Sequence, residues 1–256
     1  MNNIKQAFQN GKAFIAFLTG GDPDLATTEA LIPVMEAAGA DLIEIGIPFS
    51  DPIAEGPVIQ AASERALAAG CTVDRLFDMM ARVRKTVKIP LLFMTYANPI
   101  FAYGAERFMK RCRDCGIDGI IVPDVPFEER EEFQSVCRAY GITQIFLVSP
   151  TSQKRVAEIA RESEGFLYCV SSLGVTGVRT ELQDNIAEII RTAKKVTDTP
   201  CAIGFGISTP EQAAHMASYA DGVIVGSAIV SLIAEHGRNS ADAVRDYVAS
   251  MKNAIS

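Results

Sequence analysis

Eight short apolar runs, each preceded by an amphipathic stretch and a small turn, organise the 256-residue chain. They fall at 14–18, 42–45, 90–94, 119–122, 144–148, 165–170, 200–203 and 222–225, about one per 32 residues, the length of a strand–helix unit. The turns before them repeat one chemistry, as in Ala38-Gly39-Ala40-Asp41, Cys115-Gly116-Ile117-Asp118, Tyr140-Gly141-Ile142-Thr143 and Tyr219-Ala220-Asp221. Glycine there suits a helix C-terminus. Between the runs, Val156, Ile159 and Ala160, or Ile186, Ile190 and Ala193, recur at the spacing of one helix face. Alternating strands and helices imply a parallel sheet, either closed or open and doubly wound. An open dinucleotide-binding sheet carries G-x-G-x-x-G after its first strand, and Gly20-Gly21-Asp22-Pro23 departs from that pattern. The count and even spacing predict a (β/α)8 TIM barrel, one domain over 1–256. Additional helices are expected at 2–9 and 57–69, with a helical tail at 241–254.

Composition narrows the function classes. With 48% hydrophobic and 21% charged residues the chain is neither disordered nor fibrous. A net charge of −7 argues against a nucleic-acid footprint. No stretch approaches the ~20 apolar residues of a membrane span, and Met1-Asn2-Asn3-Ile4-Lys5-Gln6 is not a signal peptide, so a cytoplasmic protein is expected. The six cysteines are scattered, as in a reducing compartment. Cys112 and Cys115 form a C-x-x-C late in an expected helix, far from His215 and His236, and we read no metal site there.

In such a barrel, catalytic groups sit at the C-terminal ends of strands. Alternation on the second run puts Ile43, Ile45 and Ile47 toward the helices and points Glu44 into the barrel, where burial favours a protonated carboxyl suited to proton donation. A structural ion pair is the plain alternative. The following segment, 48–57, holds three prolines and cannot form a regular helix; it carries Asp51 and Glu55, either of which reads on composition alone as a solvated loop acid. Three Gly-rich segments follow later runs: Gly174-Val175-Thr176-Gly177, Gly204-Phe205-Gly206-Ile207-Ser208, and Gly226-Ser227 at a helix start. Free backbone N–H groups at such places form anion sites, and together the segments point to a phosphorylated substrate.

The segment Leu42-Ile43-Glu44-Ile45-Gly46-Ile47-Pro48-Phe49-Ser50-Asp51-Pro52 resembles the signature of the tryptophan synthase alpha subunit family. The resemblance continues in order through Gly56-Pro57, Tyr96-Ala97-Asn98-Pro99, Pro123-Asp124-Val125-Pro126 and the three Gly-rich segments. It implies cleavage of indole-3-glycerol phosphate to indole and glyceraldehyde 3-phosphate. It also implies an α2β2 assembly with a beta subunit that receives the indole. No cofactor is implied for this chain, and pyridoxal phosphate is expected in the beta subunit. The family's catalytic glutamate falls on Glu44, and its catalytic loop aspartate falls on Glu55, a departure in side-chain length. Tyr168, Thr176, Gly177, Phe205, Gly206, Gly226 and Ser227 correspond to the substrate and phosphate pocket. Pro48, Asp51, Pro52 and Asp124 correspond to the partner interface, and 172–184 to a closing lid whose first position is Ser172 where family members often carry Arg.

Two other readings stay open on sequence alone. One is a different phosphate-binding barrel enzyme, an epimerase or an indole-glycerol-phosphate synthase, although the latter would be expected to use a strand-borne Lys and only Lys12 precedes a run. The other is a non-catalytic, ligand-sensing partner of the beta subunit, for which the Asp-to-Glu departure is the support.

Overall fold

The computed structural model describes residues 3–152, 155–170, 179–204 and 206–256. Among these, nine parallel strands, all but β5 and β6 separated by helices, form the sheet: β1 (Ala13–Thr19), β2 (Leu42–Gly46), β3 (Leu91–Met94), β4 (Gly119–Ile121), β5 (Thr143–Ile145), β6 (Leu147–Val148), β7 (Leu167–Val170), β8 (Cys201–Gly204) and β9 (Gly222–Val225). The sheet order is β5-β4-β3-β2-β1-β9-β8-β7-β6. Its two ends, β5 and β6, are separated in the chain by Phe146 alone. The fifth apolar run therefore pairs with β4 through its first half and with β7 through its second, which closes the ring. The expected (β/α)8 barrel is what the chain builds, with its fifth strand broken where the pairing changes sides.

Side-chain alternation sorts the core into two layers. Ala13 and Ile15 of β1, Leu42 of β2 and Leu92 of β3 fill the interior, whereas Phe14, Ala16, Ile43, Ile45 and Phe93 pack against the helices. The expected helix at 2–9 forms as a 3₁₀ segment, Asn3–Phe8, that plugs the barrel floor. Ile4 and Ala7 join the interior cluster, and the Phe8 ring lies 5.7 Å from that of Phe166. The other two additions are the helices Pro57–Ala68 and Ala241–Ile255. Pro57–Ala68 is tied to the loop after β1 by a two-point ion pair between Arg65 and Asp22, 2.8 Å on each arm.

The recurrent turn chemistry has a structural cause. The Asp41 carboxylate accepts the Phe14 N–H at 2.7 Å, Asp118 accepts that of Leu91 at 3.0 Å, and Asp221 accepts that of Cys201 at 2.7 Å. Each aspartate precedes one strand and satisfies an amide at the start of its neighbour. Each is also ion-paired, with Lys252, Arg84 and Lys194 respectively. Ile186, Ile190 and Ala193 are buried on the helix Arg179–Lys194, as their spacing predicts. All six cysteines are free and buried; Cys112 and Cys115 close the helix Ala105–Asp114, and burial pushes the Cys115 thiol up to about 11.

Candidate active site

β2 delivers Glu44 to the barrel interior. The alternation of Ile43, Ile45 and Ile47, all packed in the helix layer, leaves it no other direction. Its side chain is fully buried, and neither carboxyl oxygen has a hydrogen-bond partner among the described residues. Burial alone pushes its pKa up to about 8, so at neutral pH the group is an acid with a proton to give. The ion-pair alternative for Glu44 is thereby set aside. Tyr168 of β7 shares the interior; its hydroxyl occupies the space that a side chain on Gly204 of β8 would need. Burial holds the Tyr168 phenol well above its ordinary range, and the nearby Glu44 charge raises it further. These two residues, far apart in the chain, are neighbours in the barrel.

Phe17 was not singled out by the sequence, yet it lies beside Glu44 on the neighbouring strand and against Gly46 and Gly226. It pairs in register with Glu44, and its ring crowds the Cα of both Gly46 and Gly226. The available signal was its position, one inward step above Ile15 on β1. Gly226 caps the helix Ser227–His236, whose first main-chain hydrogen bond runs from the Val230 N–H to the Gly226 carbonyl. The amides of the first turn have no intrahelical acceptor and favour an anion. Ser227 is exposed at that end. Gly206 holds a left-handed conformation, φ +77°, which glycine adopts without strain. Thr176, Gly177 and Phe205, and the 172–178 part of the expected lid, lie outside the described residues.

Glu55 sits half-buried on the loop between β2 and the helix Pro57–Ala68. Burial raises its pKa and a hydrogen bond with the Tyr96 phenol draws it back down. Glu55 Oε2 is buried without a hydrogen-bond partner among the described residues. It is therefore not the freely solvated loop acid that composition alone allowed. Asp51 is that acid: it is exposed and accepts a hydrogen bond from the Ser50 hydroxyl at 2.5 Å. Pro52 is half-buried, while Pro48 is buried beneath the loop; of the three, Asp51 and Pro52 reach the surface. Asp124 accepts the Ala97 N–H at 3.1 and 3.2 Å, which fixes the start of the helix Ala97–Tyr103. Phe101 on that helix and Ile53 on the loop are large apolar side chains left exposed.

Comparison with known proteins agrees with this geometry. A family model described as tryptophan synthase alpha chain matches residues 2–256. The tryptophan synthase alpha chain of Lacticaseibacillus casei is 44% identical over 255 residues, covering 100% of this chain and 96% of that protein. Among solved structures, tryptophan synthase subunit alpha from Legionella pneumophila str. Paris superposes with a TM-score of 0.90 at 37% identity, covering 100% of this chain and 98% of that one. A chain from the tryptophan synthase α2β2 complex of Pyrococcus furiosus superposes with a TM-score of 0.87 at 36% identity, covering 95% of this chain and 99% of that one. A closed parallel barrel with a buried, protonated glutamate on its second strand and an anion-ready helix start after its last is thus joined to sequence identity over its whole length, and the chain belongs to the tryptophan synthase alpha chain family.

Proposed function

We propose that this chain, acting as one barrel domain, is a lyase that cleaves indole-3-glycerol phosphate to indole and glyceraldehyde 3-phosphate. The observation that carries the reading is Glu44: a buried carboxyl with no partner among the described residues, held protonated beside Tyr168 at the catalytic end of the second strand. Glu44 donates its proton to indole C3. The resulting carboxylate accepts the proton of the hydroxyl on the adjacent side-chain carbon. The bond between that carbon and C3 breaks, its electrons return to the indole ring, and the side chain leaves as the aldehyde. The free oxygen of Glu55 receives the indole N–H and offsets the positive charge that develops when C3 gains its proton. The Ser227 helix start and the glycines at 206 and 226 hold the phosphate through backbone amides. This chemistry runs on acid–base groups of the chain, and pyridoxal phosphate belongs to the partner.

The partner is a beta subunit in an α2β2 assembly, docked on the catalytic face around Asp51, Pro52 and Asp124, and the six buried free thiols fit a cytoplasmic setting. Family membership disfavours the other barrel enzymes. Lys12 supports the same conclusion, since its ammonium is bonded to the Ala220 carbonyl ahead of the strands. Turnover of indole-3-glycerol phosphate by the purified chain, alone and with saturating beta subunit, tests the reading. Release of indole and glyceraldehyde 3-phosphate in equal amounts, faster with the partner, is expected. No turnover in either condition would leave the non-catalytic partner as the better account.

A further inference from the structure

The loop that carries Glu55 is pinned on both sides of that residue. The Tyr96 hydroxyl accepts the Ala54 N–H at 3.0 Å, and the Glu55 carbonyl accepts a hydrogen bond from Gln60 Nε2 at 2.8 Å. The Tyr96 ring packs against Phe49 at the start of the same loop, with ring centroids 5.5 Å apart. Tyr96 itself is immobilised: it is 2% exposed, and the next residue, Ala97, is bonded to Asp124. A phenol has one proton to donate and lone pairs to accept with. The phenol that accepts the Ala54 N–H lies beside the Glu55 carboxyl, whose Oε2 is buried with no hydrogen-bond partner among the described residues.

We propose that Tyr96 is the positioning residue for Glu55, anchoring its loop through the Ala54 N–H so that Glu55 Oε2 is left to meet the substrate's ring N–H. The proposal rests on the reading that Glu55 acts on the indole. It explains how a Glu fills the place of the family's Asp: the extra methylene is taken up by a backbone-anchored loop and a fixed aromatic donor. The titratable groups that act on the Tyr96 phenol are Glu55 on the loop after β2 and Asp124 after β4. Burial pushes the Tyr96 phenol up to about 12, so it keeps its proton through the working range. Removing that donor takes away a hydrogen bond to the ionised Glu55, whose pKa then rises.

The test is a cycle of Tyr96→Phe, Glu55→Ala and the double variant, assayed on indole-3-glycerol phosphate with saturating beta subunit. Tyr96→Phe removes one oxygen from a buried ring, and thermal unfolding of each variant checks that the fold survives. Tyr96→Phe is expected to lower kcat roughly ten- to a hundredfold, as a displaced catalytic group does, with KM within about twofold. The acid limb of its pH profile should move to higher pH, and the same substitution should cost nothing further in the Glu55→Ala background. Wild-type kcat in Tyr96→Phe, or an equal loss on the Glu55→Ala background, would overturn the positioning role while the lyase reading stands. An inactive wild type would overturn both.

Discussion

The Phe17 ring stands in front of Gly226: a Cβ on that glycine would lie 3.1 Å from the ring. The same ring leaves still less room at Gly46, where a Cβ would come within 2.7 Å. Since Phe17 also pairs in register with Glu44, one aromatic residue adjoins both the proposed acid's place on the strand and the proposed phosphate cradle. Its packing against Ala62 and Val230 ties both to the helices Pro57–Ala68 and Ser227–His236.

This arrangement separates backbone from side-chain effects at the cradle. Ser227→Ala should leave KM for indole-3-glycerol phosphate within about threefold, because the helix amides remain. Gly226→Val should raise KM at least tenfold, since its branched side chain displaces Phe17 or blocks the amides. Gly206→Val should do likewise for a different reason: no described residue crowds it, but a β-branched residue is strained at φ +77°. Steady-state kinetics on the three variants decides the matter, and equal KM values would remove the cradle.

Glu44→Gln should lower kcat about 10²- to 10⁴-fold, the usual contribution of a general acid–base group. It also carries a stability signature with a definite sign. The folded pKa of Glu44, about 8, lies above its ordinary value of 4.5, so between these pH values the folded state binds more protons than the unfolded one. Stability therefore falls as pH rises through that window. Glutamine removes this loss, and the variant should be more stable than wild type at pH 8.5 by on the order of a few kcal/mol, the gain shrinking toward pH 5. Chemical denaturation across pH measures it. Parallel curves for the two proteins would mean that Glu44 is not buried in its neutral form.

Docking of the beta subunit on the catalytic face should order the Glu55 loop. Amide exchange across 49–58 is expected to slow at least several-fold when the partner is saturating, with little change at the barrel floor around Asn3–Phe8. Unchanged exchange across the loop would uncouple docking from the site.

Asp118→Ala tests the turn device. It leaves the Leu91 N–H without its acceptor and Arg84 without its carboxylate, and should cost about 2–3 kcal/mol in urea unfolding. A loss under about 0.5 kcal/mol, the range of ordinary surface changes, would show that the aspartate merely faces solvent.

Much of this molecule is written in short-range pattern. The apolar runs, their turns and the inward direction of Glu44 depend on residues within a few positions of one another, because strand alternation and helix periodicity are local rules. Hence the barrel, its eight runs and the second-strand acid are legible in the chain itself, as are the glycines of the proposed cradle. The fate of Glu55 is not. Ala54 and Tyr96 are 42 residues apart, and they meet because β2 and β3 pair side by side, which sets the loop after one beside the loop after the other. Tyr168 reaches Glu44, and Phe17 reaches Gly226, through the same closure. Local sequence determined which residues face inward at the top of each strand. Only the closed ring decided which of them touch, because such contacts follow from strand order and register, which no neighbouring residue encodes.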